Sequence, residues 1–460
     1  MPAEASTVEG VPKLRLAIVG AGPAGIYAAD IILKSERNVD VSIDLFERLP
    51  AAYGLVRYGV APDHPRIKGI ITALREVLDR GDIRLFGNVN FGTDITLDDL
   101  KRHYNAVIFS TGAIRDADLN IPGIELPGSF GGADFVSWYD GHPDVPRDWP
   151  LDASSVAVVG NGNVALDVAR MLAKHADDLL PTEIPANVYS GLKASPVTDV
   201  HVFGRRGPAQ AKFSPLELRE LGELNDVDMV VYDEDFVIDE ASQNAIESNK
   251  QVFVLMKVMN AWRERESGSA SRRVHLHFYA NPLEVVANER GTVGAFRYER
   301  TEPDAAGGVR GTGEIRELEI GAIYRAVGYH GSPLDGIPFD EKRGVIPNHE
   351  GQVMGDDGKM MPGIYATGWI KRGPVGLIGH TKSDAMETVK HLLRDQAHWW
   401  APAEPDEQAV VDLLNSRGIE YTDIAGWAKL DDYEKALGVP EGRERIKAVD
   451  RAEMIRVSKA

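Results

Sequence analysis

Two glycine-rich turns, 140 residues apart, constrain this chain more than any other feature: Gly20-Ala-Gly22-Pro-Ala-Gly25 and Gly160-Asn-Gly162-Asn-Val-Ala165. Each follows a short apolar run, Leu16–Val19 or Val156–Val159, and each leads into an alanine-rich stretch. A strand that turns tightly into a helix needs glycine for the bend, for close backbone approach to a pyrophosphate and for packing helix on strand. The helix N-terminus then offers amide donors and the positive end of a dipole to the phosphates. One such turn is weak evidence. Two, in the same strand–turn–helix context, predict a protein that holds two dinucleotides at once.

The end of the next strand in each unit separates the two ligands. Val41-Ser-Ile-Asp-Leu-Phe-Glu47 alternates as a strand and ends in Glu47, about 20 residues past the last glycine, where a carboxylate meets ribose hydroxyls. That pattern suits FAD or NAD. In the second unit, Asp199-Val-His-Val-Phe203 ends in Gly204-Arg205-Arg206 with no acid. Two guanidiniums at that point match a 2′-phosphate, so NADP(H) is expected there. From Ala165 to Arg205 the gap is 40 residues, roughly twice the usual interval. The excess, Asp177 to Pro196 with its prolines and glycine, reads as an inserted loop.

Two further apolar runs, Tyr104–Ala113 and Ala322–Tyr329, bracket the second turn. They predict a discontinuous FAD-binding domain, residues 11–113 and 329–460, with an NADP-binding domain of residues 114–328 inserted in it. The stretches Ile114–Pro150 and Gly328–Pro347 read as linkers and loops from their Gly, Pro and Asp content. Asn249–Glu266 reads as a helix, Val274–Tyr279 as a strand, and the acidic tail beyond Pro402 as helical with an N-cap at Thr422 or Asp423. In Ile364–Thr381 a strand, a Gly368 bend and a helix start offer amides to a flavin edge, and Trp369 is placed to cover a flavin face or meet the nicotinamide.

Composition narrows the function. The chain has 460 residues and no cysteine, which excludes a redox dithiol, cysteine-ligated iron–sulfur clusters and zinc–thiolate sites; no metal is expected. A net charge of −19 argues against nucleic acid. Met1–Pro12 lacks the basic and apolar character of a targeting leader, and Leu16–Leu33 is broken by glycines and Asp30. A cytoplasmic location with no membrane span is expected.

The sequence resembles the bacterial form of the adrenodoxin reductase type of ferredoxin–NADP reductase. The resemblance rests on Tyr53-Gly-Leu-Val-Arg-Tyr-Gly-Val-Ala-Pro-Asp-His-Pro65, Gly160–Arg170, Phe203-Gly-Arg-Arg-Gly207, Gly368-Trp-Ile-Lys-Arg-Gly-Pro374 and Gly442-Arg-Glu-Arg-Ile-Lys-Ala-Val-Asp450, and it extends over essentially the whole chain. It implies an α/β fold of two Rossmann-like domains, related to glutathione reductase but without a dimerisation domain, and a monomer or weak dimer. It implies FAD against Ala24, Glu47, Leu55, Val89, Trp369, Gly376, Leu377 and Ile378. NADP(H) is implied against Asn161, Gly162, Asn163, Val164, Arg115, Arg205, Arg206 and Glu217, with Gly376 beside the nicotinamide. His64 and Asp167 form a polar pair near the flavin, with Glu220 a further candidate there. Where the wider superfamily ends this strand in Gly-Asp, the chain reads Gly368-Trp369, a replacement shared by this branch.

The implied reaction passes hydride from NADPH to flavin N5, then single electrons to an iron–sulfur ferredoxin. His64, oriented by Asp167, would stabilise charge on the reduced flavin or relay its proton. An acidic ferredoxin would need a local basic patch, for which Lys250 and Lys257, or Lys371 and Arg372, are candidates. The alternatives are an NADPH-dependent diaphorase or monooxygenase acting on a small substrate, and a binding module that senses NADP redox state without turnover.

Overall fold

The computed structural model describes residues 13–35, 39–265, 268–304, 307–376 and 378–460. Met1–Pro12, Leu377 and Glu266, on each of which an expectation fell, lie outside them.

Two sheets carry the architecture. The first has seven strands in the order Asn348–His349, Gln352–Met354, Met360–Ala366, Ala106–Phe109, Lys13–Val19, Asp40–Glu47 and Ile83–Gly87. Its last five strands are parallel, and a short antiparallel ribbon extends the other edge. The second has six strands, all parallel: Ser129–Gly131, Ala322–Arg325, Ser155–Val159, Asp199–Phe203, Arg272–His277 and Val227–Val231. Central strands such as Lys13–Val19 and Ser155–Val159 are almost wholly buried, as a parallel sheet covered on both faces requires. A third, antiparallel sheet of Ala280–Ala287, Val293–Pro303 and Val309–Glu319 packs on the six-stranded one through Phe296, Tyr298 and Phe203.

The two apolar runs that bracket the second turn occupy equivalent interior positions. Ala106–Phe109 lies beside Lys13–Val19, and Ala322–Arg325 beside Ser155–Val159. The chain crosses between the sheets at two places that pair with each other, Arg115–Asp116 against Tyr329–His330.

Several local expectations need correction. The segment Asp177–Pro196 is not simply a loop: it holds a 3₁₀ turn, Ala176–Leu179, and a helix, Ala186–Ala194. Leu179, Ile184, Val188 and Leu192 from this segment join the core of the six-stranded sheet. Ile114–Pro150 likewise contains a buried helix, Gly132–Tyr139, whose Phe135, Trp138 and Tyr139 lie in that core. In the tail, Asp423 is the N-cap of Ile424–Gly438 and accepts from the Gly426 amide, whereas Thr422 pairs its backbone with Gly87.

Candidate functional site

The two glycine turns are built alike. In the first, the Gly20 amide donates to Phe46 O at 2.7 Å; in the second, the Gly160 amide donates to Phe203 O at 3.0 Å, so each turn is anchored to the end of the neighbouring strand. Gly20 has φ +111°, and a Cβ there would lie 2.5 Å from Ser110 O; at Gly160 it would lie 2.2 Å from Ala326 O. These two glycines are demanded by the protein's own backbone. Gly25 is demanded by packing, since its Cβ would fall 2.1 Å from Gly20 O.

The middle glycines differ. Gly22 (φ −77°, ψ −179°) and Gly162 (φ −123°, ψ 178°) have extended backbones open to any residue. A Cβ on Gly162 would meet nothing within 4 Å, and one on Gly22 would meet only Gly54 Cα at 3.8 Å. Neither backbone strain nor a neighbouring protein atom requires glycine at these positions. These positions leave room for close approach of a group from outside the chain, and the helices Pro23–Leu33 and Asn163–Ala173 start immediately beyond them.

Around the first turn, buried Glu47 holds the loop: Ala21 N donates to its Oε2 at 2.9 Å and Leu49 N to its Oε1 at 3.1 Å. Burial pushes its pKa up, against the pull of these amide bonds. Val89 is buried, its amide on Glu47 O. Gly54, with φ +50°, faces Gly22 and starts the short helix Leu55–Tyr58, leaving Leu55 half-buried. Gly368 closes the other side: a Cβ on it would lie 2.7 Å from Ala24 Cβ. Trp369 follows it, half-buried and 6.5 Å from the ring of Tyr329. Gly376 is exposed and adopts φ +88°; Ile378 begins the helix Ile378–Arg394.

Around the second turn, Arg205 and Arg206 are exposed, and neither side chain has a hydrogen-bond or ion-pair partner among the described residues. Asn161 packs beside Gly204. Asn163 Oδ1 accepts from Ser214 N at 2.7 Å, and Ser214 caps the helix Pro215–Gly222 that carries Glu217 and Glu220. Val164 packs on the core of the six-stranded sheet. Arg115 stands apart on the crossing strand, exposed and 3.5 Å from Glu341.

His64, Asp167, Glu217 and Glu220 come together at the junction of the two sheets. Nε2 of buried His64 lies 3.0 Å from Asp167 Oδ1 and 3.2 Å from Glu217 Oε2, and its Nδ1 lies 3.1 Å from Glu220 Oε2. Burial opposes charge on this imidazole, but the bonds to Asp167 and Glu217 outweigh it and push its pKa up to about 10. Glu217 therefore sits in the His64 cluster, not beside the exposed arginines. Sequence reasoning did not single out Asp63 or Arg170. Arg170 donates to both oxygens of Asp63 at 3.0 Å and lies 2.7 Å from Asp167, so it supplies the buried counter-charge. The i,i+3 spacing of Asp167 and Arg170 on one helix was the available signal.

Lys371 cannot serve as a docking cation. It is 6% exposed and held by Asp384 at 3.0 Å and by Glu387. Arg372 is folded back on Val375 O and Asp384. Lys250 and Lys257, by contrast, are exposed on the helix Lys250–Arg263.

The pattern of the family described as "Pyridine nucleotide-disulphide oxidoreductase" matches residues 14–201. "NADPH-ferredoxin reductase FprA" of Mycobacterium tuberculosis is 39% identical over 456 residues, covering 96% of this chain and 98% of the relative. The human "NADPH:adrenodoxin oxidoreductase, mitochondrial" is 37% identical, covering 98% of this chain and 93% of its own. The solved structure of Mycobacterium tuberculosis FprA in complex with NADPH superposes with a TM-score of 0.89 at 38% identity, covering 98% of this chain and all of the other.

Proposed function

This chain belongs to the family of NADPH–ferredoxin and adrenodoxin reductases, and on that premise we propose how its residues divide the work. It is an FAD-dependent oxidoreductase that transfers electrons between NADPH and an iron–sulfur protein. The absence of cysteine separates it from members of the wider family that pass electrons to a disulfide. The observation that supports the site assignment is the pair of glycines, Gly22 and Gly162, left open at the starts of two helices where a pyrophosphate would approach.

We assign residues 11–113 and 329–460 to FAD and 114–328 to NADP(H). The residues present fit both groups. The first turn, with Glu47 fixed by two amides and Gly368 packed on Ala24, makes a cradle for an adenine dinucleotide whose ribose meets an acid. The second, with free Arg205 and Arg206 at its strand end, suits a 2′-phosphate. Bound together, the two groups supply hydride transfer and its conversion to single-electron steps.

The chain's part is to place, shield and balance charge. Asn163 ties the second turn to the Glu217 helix, and Glu217 and Glu220 reach His64, which follows the short helix Leu55–Tyr58 of the first unit. The bonds to Asp167 and Glu217 favour the charged form of buried His64, while the Arg170 guanidinium 2.6 Å from its Nε2 opposes it; oriented by Asp167, His64 stabilises negative charge developing nearby or relays a proton. Lys250 and Lys257 form the docking face for an acidic ferredoxin, and the protein acts as a monomer or weak dimer in the cytoplasm; no described helix is long and apolar enough to cross a membrane. The test is reduction of a purified [2Fe-2S] ferredoxin by NADPH: activity that Lys250→Glu with Lys257→Glu impairs by raising KM for ferredoxin alone supports the assignment, and equal loss with a small dye acceptor contradicts it.

A further inference from the structure

Two parts of the sequence have no place in the reaction just described: the insert Asp177–Pro196, and the segment Gly442–Asp450 near the C-terminus. The structure brings them together. Glu183, in the insert, and Asp140, after the buried helix Gly132–Tyr139, belong to segments packed in the core of the six-stranded sheet. Lys68 and Lys447 belong to the seven-stranded side, where neighbouring Val56, Tyr58 and Ala448 lie in its core.

The four charges meet out of water. Lys68, Lys447, Asp140 and Glu183 are 6%, 3%, 1% and 4% exposed. Lys447 Nζ lies 2.8 Å from Glu183 Oε1, donates to Arg57 O at 2.7 Å and to Asp140 O at 3.0 Å, and lies 3.5 Å from Asp140 Oδ1. Lys68 pairs with the same Glu183 oxygen and lies 3.7 Å from Asp140. Arg443 donates to Ile184 O, and Arg445 bridges Asp431 at 2.5 Å and Glu183 at 3.7 Å. Burial raises the pKa of Glu183, but Lys447 and Lys68 outweigh it and keep the carboxylate ionised.

Such a cluster is a poor source of net stability, because desolvating each ion offsets most of the attraction. Its geometry is specific, however. Every ion pair among these four side chains crosses from one nucleotide-binding unit to the other. Lys447 also grips the carbonyl of Arg57, in the short helix that starts at Gly54, the glycine facing Gly22 in the first turn. The covalent links between the units run through the paired crossing strands at 115–116 and 329–330, and the Arg170–Asp63 and His64–Asp167 pairs also cross between them.

We propose that Lys68, Lys447, Asp140 and Glu183 form an interdomain lock that holds the two dinucleotide sites at a fixed separation, making them positioning residues for hydride transfer. The proposal rests on the reading that both turns bind dinucleotides. A shift of about 1 Å between reacting groups costs about 100-fold in rate, so a lock of this kind acts on kcat. The insert exists to deliver Glu183 to the interface, and the C-terminal segment to deliver Lys447.

The test uses Lys447→Met with Glu183→Gln, which removes one charge of each sign and leaves Lys68 opposite Asp140. Because the chain has no cysteine, Asp82→Cys and Glu289→Cys place two spin labels, one on each unit, with no competing thiol. Distances measured by pulsed electron resonance on the FAD-loaded protein, with and without NADP+, should be narrow in the parent and broadened in the double variant. Turnover with NADPH and ferricyanide should fall by about 10- to 100-fold in kcat, with KM for NADPH changing less than about 3-fold, and a larger isotope effect should appear with deuterated NADPH. A distance distribution and kcat equal to those of the parent overturn the lock, whatever happens to the melting temperature. Lys68→Met with Asp140→Asn, equally balanced in charge, gives the same readouts should the first pair fail to fold. If the parent itself does not oxidise NADPH, the dinucleotide reading fails, not the lock.

Discussion

Replacing Arg205 and Arg206 with alanine isolates the basis of NADPH preference. Both side chains are exposed and without hydrogen-bond or ion-pair partners among the described residues, so their removal breaks no such bond there, and the melting temperature should move by no more than about 1 °C. On the proposed assignment, each guanidinium makes charge-assisted bonds to the 2′-phosphate. Such bonds are worth about 1.5–3 kcal/mol when desolvated, and solvent at this open strand end reduces that to about 1–2 kcal/mol each. The pair then contributes about 2–4 kcal/mol, or about 30- to 700-fold in kcat/KM for NADPH. NADH lacks the phosphate, so its kcat/KM should stay within about 3-fold. Steady-state dye reduction with each nucleotide at fixed ionic strength measures both. An equal loss for NADPH and NADH would refute the phosphate assignment.

Gly160→Ala should impair NADPH binding and lower the melting temperature while FAD is retained, because its Cβ would fall 2.2 Å from Ala326 O in the second unit alone; loss of FAD in titration with the released flavin would count against this. Glu47→Ala leaves the Ala21 and Leu49 amides without their acceptor, at about 1–3 kcal/mol per orphaned donor, and should lower flavin content after gel filtration with Arg205 and Arg206 intact. For His64 the folded pKa is raised from 6.5 to about 10. Stabilisation from its imidazolium is therefore complete below pH 6.5 and is lost as pH rises through about 10. The difference in melting temperature between the parent and His64→Gln should shrink over that window, and a difference independent of pH would contradict the ion cluster.

The two turns were legible because their requirements are local: φ at Gly20, packing at Gly25 and the strand partner at Phe46 or Phe203 all lie within one βαβ unit. Asp177–Pro196 was misread because proline and glycine, usual marks of a loop, had other uses. Pro185 sits at the N-cap of Ala186–Ala194, and Gly191 makes room for Trp138, whose ring a Cβ would meet at 3.2 Å. Gly132 similarly lets its helix pack on Arg325 O. Lys371 looked like a surface cation beside a flavin motif, yet its partners Asp384 and Glu387 lie on a later helix that no pattern in the motif announces. The partners of Glu183 are farther still, at Lys68 and Lys447, and such pairings are set by how the two sheets dock. The His64 cluster is half visible in the sequence: Asp167 and Glu220 belong with His64 by resemblance, whereas the contact of Glu217 with His64 and the counter-ions Asp63 and Arg170 depend on how the two units dock.

The most direct measurement is cytochrome c reduction by the FAD-loaded protein with NADPH, with and without a [2Fe-2S] ferredoxin. Strong stimulation by ferredoxin, saturable and weakened by added salt, is the expected result. NADPH oxidation that proceeds to oxygen or dyes at the same rate whether or not ferredoxin is present would contradict the account and mark the protein as a diaphorase or an oxygenase.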